Sequence, residues 1–111
     1  LLSPMVHSMN SRERKRLHLA AVFVSNFNNY LYLLAHDYLE EEGIDFKHLH
    51  ALIRETAAKA TDLSPKEAQT GPARRNDKTT LAAHLKLLEN RKEFREFYEL
   101  FSKHILRRYY E

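Results

Sequence analysis

The chain has 111 residues, with 18 Lys plus Arg against 15 Asp plus Glu, 43% hydrophobic residues, two Gly, three Pro and no Cys or Trp. That is length for one domain and apolar material for one core, with too much periodic charge and too little Pro or Gly for a disordered or collagen-like chain. Without cysteine there is no disulfide framework, thiolate metal site or cysteine nucleophile, and a reducing cytoplasm is the expected compartment. The net charge of +3 is mild and its basic residues are interleaved with acids, which gives nucleic acid no clean positive face. Leu17 to Ala35 is the longest mainly apolar stretch, but His18, Ser25, Asn26, Asn28 and Asn29 interrupt it, so no membrane span is expected. Since the first residue is Leu1 and not Met, we expect a processed chain or a piece of a longer protein.

Helical periodicity covers most of the chain and no strand-like alternation occurs, so the expected fold is all-α. The first helix should open at Asn10 or Ser11, both good N-cap types, and close at Gly43, a natural left-handed terminator. At about 30 residues it would run ~45 Å, too long for a small bundle unless the bundle forms around it. Its stripe of Leu17, Ala20, Ala21, Val24, Phe27, Leu31, Leu34 and Tyr38 is flanked by further apolar residues at Val22, Phe23, Tyr30 and Leu33. A helix apolar over so much of its circumference calls for cover on several sides, and a second copy of the chain would supply it.

Asp45 should cap a second helix carrying Leu49, Leu52, Ile53, Ala57, Ala60 and Leu63. Ser64-Pro65 then opens an irregular connector, through Gly71-Pro72 to Asn76, where non-helical chemistry would sit. Asn76 or Asp77 should cap a third helix with Leu81, Leu85 and Leu88 inward, ending at Asn90. The fourth places Phe94, Phe97, Tyr98, Phe101, Ile105 and Tyr109 on one side of a charged helix. The whole of 1–111 is read as one helical domain.

Two constellations could carry chemistry. At 3.6 residues per turn, His18, Ser25, Asn29, Tyr32 and His36 fall within roughly 40° of one line along the first helix, with Asn26 beside them. That strip is either a solvated face, continued by Arg14 and Glu40, or a ligand groove whose neutral amides and imidazoles orient a carbonyl or hydroxyl without burying a full charge. In the connector, Pro72 should hold Thr70-Gly71-Pro72 as a fixed extended turn, bringing backbone and hydroxyl close to a neighbour, and Arg75 and Asp77 should form a clasp at a helix start, with direct ligand contact as the other reading. His48 and His50, two apart on a helix, cannot share a metal, and His84 is read as a structural helix histidine. No P-loop, G-x-G-x-x-G, H-E-x-x-H or G-x-S-x-G occurs, and no complete catalytic site is visible.

Leu17 through Phe27, followed by Thr70-Gly71-Pro72, Arg75, Asp77 and His84-Leu85, resembles the C-terminal domain of the DUF2520 family of Rossmann-like oxidoreductases, over roughly Val6 to Leu88. The resemblance implies a helical bundle around one long central helix, like the C-terminal domain of 6-phosphogluconate dehydrogenase, with an N-terminal dinucleotide-binding domain outside this sequence. It implies NAD(P) held mainly by that domain, a homodimer, and an unknown small-molecule substrate; the charge pattern, hydropathy and histidine spacing above call for no nucleic acid, membrane or metal. His18 and Asn26 would orient the substrate in catalysis, and Ser25, Asn29, Thr70, Gly71, Arg75 and Asp77 would line its site. Two departures matter. Asn76 stands where the family pattern has Gly, so a left-handed backbone is expected there, and Val22 stands where many wider relatives carry a catalytic Lys. The alternative is a non-enzymatic helical interaction module.

Overall fold

A computed structural model describes residues 8–111; Val6, where the resemblance begins, lies outside them. The fold is all-α, with no strand among the described residues. The chain divides into two compact units, one ending at His48 and the other beginning at Leu49.

In the first unit, α1 (Ser11–Ala21) opens as the sequence predicts. Asn10 is extended, its side chain accepts from the Glu13 amide at 2.8 Å, and Glu13 reaches back to the Asn10 amide at 3.4 Å. This reciprocal box satisfies two amides that have no partner within the helix. The helix does not then run as a uniform α-helix to Gly43. Val22–Phe27 is a π-helical segment, after which α2 (Asn28–Glu41) resumes. At the far end Gly43 has φ +72, its amide donates to Glu40 O at 3.1 Å and that of Ile44 to Leu39 O at 2.9 Å. This paired closure needs a left-handed residue at its centre, which is why glycine ends the helix there.

A 3₁₀ turn (Phe46–Leu49) carries the chain into the second unit. Asp45 caps that turn and not the α-helix, its carboxylate accepting from the Lys47 amide at 2.9 Å. Helix α3 (His50–Asp62) is followed by a single turn the sequence reading treated as irregular, α4 (Pro65–Ala68). Ser64 caps it by accepting from the Glu67 amide at 3.2 Å, and Pro65 fills the first position, where a missing N–H costs nothing. Helix α5 (Lys78–Leu87) and the long α6 (Lys92–Tyr110) complete the chain.

The interior is small. Among the described residues only Leu34 and Ala73 are buried hydrophobics, while Leu19, Phe23, Val24 and Phe27 are each more than half exposed. The expected inward stripe on the first helix is therefore open at Val24 and Phe27, and among the described residues only Leu34 of that stripe is buried.

Candidate functional site

The π segment changes how the first helix presents its polar residues. An i→i+5 turn holds one residue more than an α turn, so positions beyond it are rotated by about one residue step, roughly 100°, relative to an unbroken α-helical wheel. His18 precedes the segment, Ser25 and Asn26 lie within it, and Asn29 follows it. The straight strip from His18 to His36 is thus not kept. All four side chains are exposed, and none bonds to another of the four among the described residues. Beyond them, Asn28 Nδ2 donates to Tyr32 Oη at 3.1 Å, and His36 lies 3.4 Å from Asp37 and 3.7 Å from Glu40, with its ring 5.4 Å from that of Phe46. What surrounds His18, Ser25, Asn26 and Asn29 is an exposed apolar surface, with the Phe23 and Phe27 rings packed edge to face at 5.0 Å.

The connector in the second unit is more closely built. Gly71 has φ +104, so the expected extended turn is replaced by a conformation open to glycine alone, which still keeps the residue before Pro72 out of the right-handed helical region. No described atom lies within 4 Å of where a Gly71 Cβ would stand, so the requirement is torsional and not the close approach that the sequence suggested. From Pro72 the chain makes one helical turn. The Asp77 amide closes it on Pro72 O at 2.8 Å and the Asn76 amide on Ala73 O at 3.1 Å, around Asn76 at φ +52. This is the same paired closure as at Gly43, with asparagine taking the left-handed position, as its departure from the family pattern predicted.

Asp77 then caps α5. Its Oδ1 accepts from the Thr80 amide at 3.1 Å and its Oδ2 from the Thr80 hydroxyl at 2.7 Å. The Thr80 hydroxyl and then its amide hold the Asp77 carboxyl below its ordinary pKa, against a smaller effect of burial, with Arg75 and His84 assisting. Arg75 Nη2 stands 3.9 Å from Asp77 Oδ2, too far for a hydrogen bond and largely exposed, so its guanidinium is available to other partners. Thr70 accepts from Gln69 Nε2 through its carbonyl at 3.1 Å.

Two features of this unit escaped the sequence reading. His84 Nδ1 lies 2.7 Å from Tyr98 Oη, with the rings edge to face at 5.6 Å, joining α5 to α6. The end of α6 also straps the connector: Tyr109 Oη donates to Lys66 O at 2.5 Å, Tyr110 Oη donates to Arg74 O at 2.6 Å, and the Arg74 guanidinium sits 4.2 Å from the Tyr109 ring centre. Neither contact has a local sequence signature. Among the described residues there is no group of three or more potential metal ligands, and no helix is long and apolar enough to cross a membrane.

Residues 1–105 match the family model described as a domain of unknown function, DUF2520. The chain belongs to the DUF2520 family. It is similar to a crystal structure from Bacteroides fragilis described as a putative NADP oxidoreductase, with 44% identity, a TM-score of 0.85, and coverage of 90% of this chain and 39% of that one. This DUF2520 chain therefore spans well under half the length of that relative. No curated protein matches it.

Proposed function

We propose that this DUF2520 chain is the substrate-side and dimerisation domain, over 1–111, of an NADP-dependent oxidoreductase, completed by a dinucleotide-binding domain N-terminal to this sequence. The observation that carries the reading is the 44% identity across 90% of the chain to a protein described as a putative NADP oxidoreductase. Among the described residues there is no nucleotide cradle. The chain has two glycines, Gly43 ending a helix and Gly71 opening a turn, and no Gly-rich strand-to-helix loop that could approach a pyrophosphate. NADP is accordingly assigned to the domain outside this sequence, and this chain alone should transfer no hydride.

Within that assignment, His18 and Asn26 of the first unit orient the substrate and Ser25 and Asn29 contact it; in the second unit, taken by itself, Thr70, Gly71, Arg75 and Asp77 are the residues assigned to substrate binding. Exposed neutral donors and acceptors at the first helix suit contact with a carbonyl or hydroxyl, and a turn closed by its own hydrogen bonds suits a wall that keeps its shape. The exposed Leu19, Phe23, Val24 and Phe27 support a second copy as cover for the π segment. The lack of cysteine fits a cytoplasmic protein. The test is titration of the full-length protein and of the 111-residue chain with NADPH, followed by nucleotide fluorescence. Saturable binding to the first and none to the second is expected; no binding to the full-length protein would remove the oxidoreductase reading and leave an interaction module.

A further inference from the structure

Asp77, Thr80 and His84 occupy positions i, i+3 and i+7, one face of α5 from its cap to its last turn. Tyr98 reaches that face from α6, so four polar side chains form a half-buried column in the second unit. Three of the four have settled roles. Asp77 spends both oxygens on Thr80, Thr80 spends its hydroxyl on Asp77, and Tyr98 meets His84. The imidazole alone has a ring nitrogen to spare, since Nε2 takes no partner among the described residues.

The chemistry of the column sets the state of that nitrogen. Burial, and then the Asp77 charge, raise the pKa of Tyr98, so it remains a neutral phenol. Among the described residues its Oη has one side-chain partner at hydrogen-bond distance, His84 Nδ1, and a neutral phenol can donate to it. With Nδ1 accepting, the neutral ring carries its proton on Nε2, the tautomer being set by the partner on the other nitrogen, and the imidazolium that helps hold Asp77 down carries a proton there as well, so Nε2 is a donor in either state. Arg75 is the other charged group beside Asp77, and it stands on the turn before the helix. The Asp77 carboxylate close to the column disfavours an anionic ligand atom here, which leaves a neutral carbonyl or hydroxyl oxygen as the fitting acceptor. A neutral imidazole polarising a carbonyl is an established chemical role for such a group.

We propose that His84, its ring set by Tyr98, is a substrate-contacting hydrogen-bond donor whose Nε2–H receives a neutral carbonyl or hydroxyl oxygen. This names a ligand contact within the substrate-side role proposed above and rests on that reading. Tyr98 is a positioning residue, and Asp77 with Thr80 fixes the helix start that places them.

The test has one readout free of turnover and independent of NADPH. In full-length protein labelled with ¹⁵N at its histidines, long-range NMR at pH 8 should show one dominant His84 tautomer with the proton on Nε2, and Tyr98→Phe should turn it into a mixture. Added acetone, 2-propanol, pyruvate and lactate serve as probes. At least one should shift the His84 ring nitrogens saturably, and its apparent Kd should rise about tenfold in Tyr98→Phe, the loss of one well-placed hydrogen bond. A purely structural His84–Tyr98 link would lower the Tm of Tyr98→Phe and leave His84 insensitive to every probe, and that result overturns the proposal, as does a tautomer unchanged in Tyr98→Phe. Probe shifts at His84 in a protein that fails to bind NADPH would support the ligand site and remove the oxidoreductase reading, so the two failures are distinguishable.

Discussion

Substituting Asn76 tests whether the connector closes in solution as it does in the structure. At φ +52 an ordinary L-residue pays roughly 1–2 kcal/mol for its Cβ, a cost that asparagine partly offsets and glycine does not incur. Against this, glycine gives up about 0.4–1 kcal/mol through its freer unfolded chain. Asn76→Gly should therefore lie close to wild type, and Asn76→Ala should be less stable than Asn76→Gly by about 1 kcal/mol. In a domain of this size 1 kcal/mol moves Tm by about 5 °C. Circular dichroism melts of the three proteins at one fixed concentration give the comparison, the concentration being held because association raises Tm. Gly71→Ala belongs in the same series: with no described atom near its Cβ, its loss would be torsional only, on the order of 1–3 kcal/mol at φ +104. Equal melting of Asn76→Gly and Asn76→Ala would refute a left-handed residue at this position.

Two further expectations concern charge and association. Because hydrogen bonds from Thr80 hold the Asp77 carboxyl below its ordinary value of 3.8, its stabilising contribution is complete above that pH and is lost as the pH falls through the folded value. Wild type should thus exceed Asp77→Asn in stability at neutral pH, and the gap should narrow as the pH falls below 3.8 in urea melts; a gap that does not change with pH would contradict this. If the exposed Phe23 and Phe27 rings lie at a seam between two copies, Phe23→Asp should weaken the dimer by about 2 kcal/mol, roughly 30-fold in Kd. Sedimentation of full-length protein would show it, and an unchanged dimer would place the seam elsewhere.

Much of the helical framework was legible because its ends carry local chemical signals. Asn10 and Glu13 form a reciprocal cap, Gly43 takes the left-handed closing position, and Asn76-Asp77 stops one turn and starts the next. The π segment was not legible: Val-Phe-Val-Ser-Asn-Phe contains no residue whose chemistry demands an extra residue in the turn, and a 3.6-residue wheel drawn through it misplaces everything downstream. The Asp45 and Ser64 errors are of the opposite kind, since both residues do cap, but they cap short turns that hydrophobic periodicity does not see. The His84–Tyr98 pair and the tyrosine straps depend on which helix faces which. His84 therefore looked structural when read with its own helix alone, and Tyr109 and Tyr110 gave no hint of the carbonyls of Lys66 and Arg74.

Asp77 belongs to two structures at once: its amide closes the turn that starts at Pro72, and its carboxylate opens α5. The chain has no slack residue at this junction. A one-residue insertion between Pro72 and Thr80 would separate the two bonding patterns, whereas insertions in a long free loop are ordinarily tolerated. Length variation among natural versions of this connector should therefore be confined to the stretch before Gly71, and any movement of the turn is geared directly to the axis of the helix that carries His84.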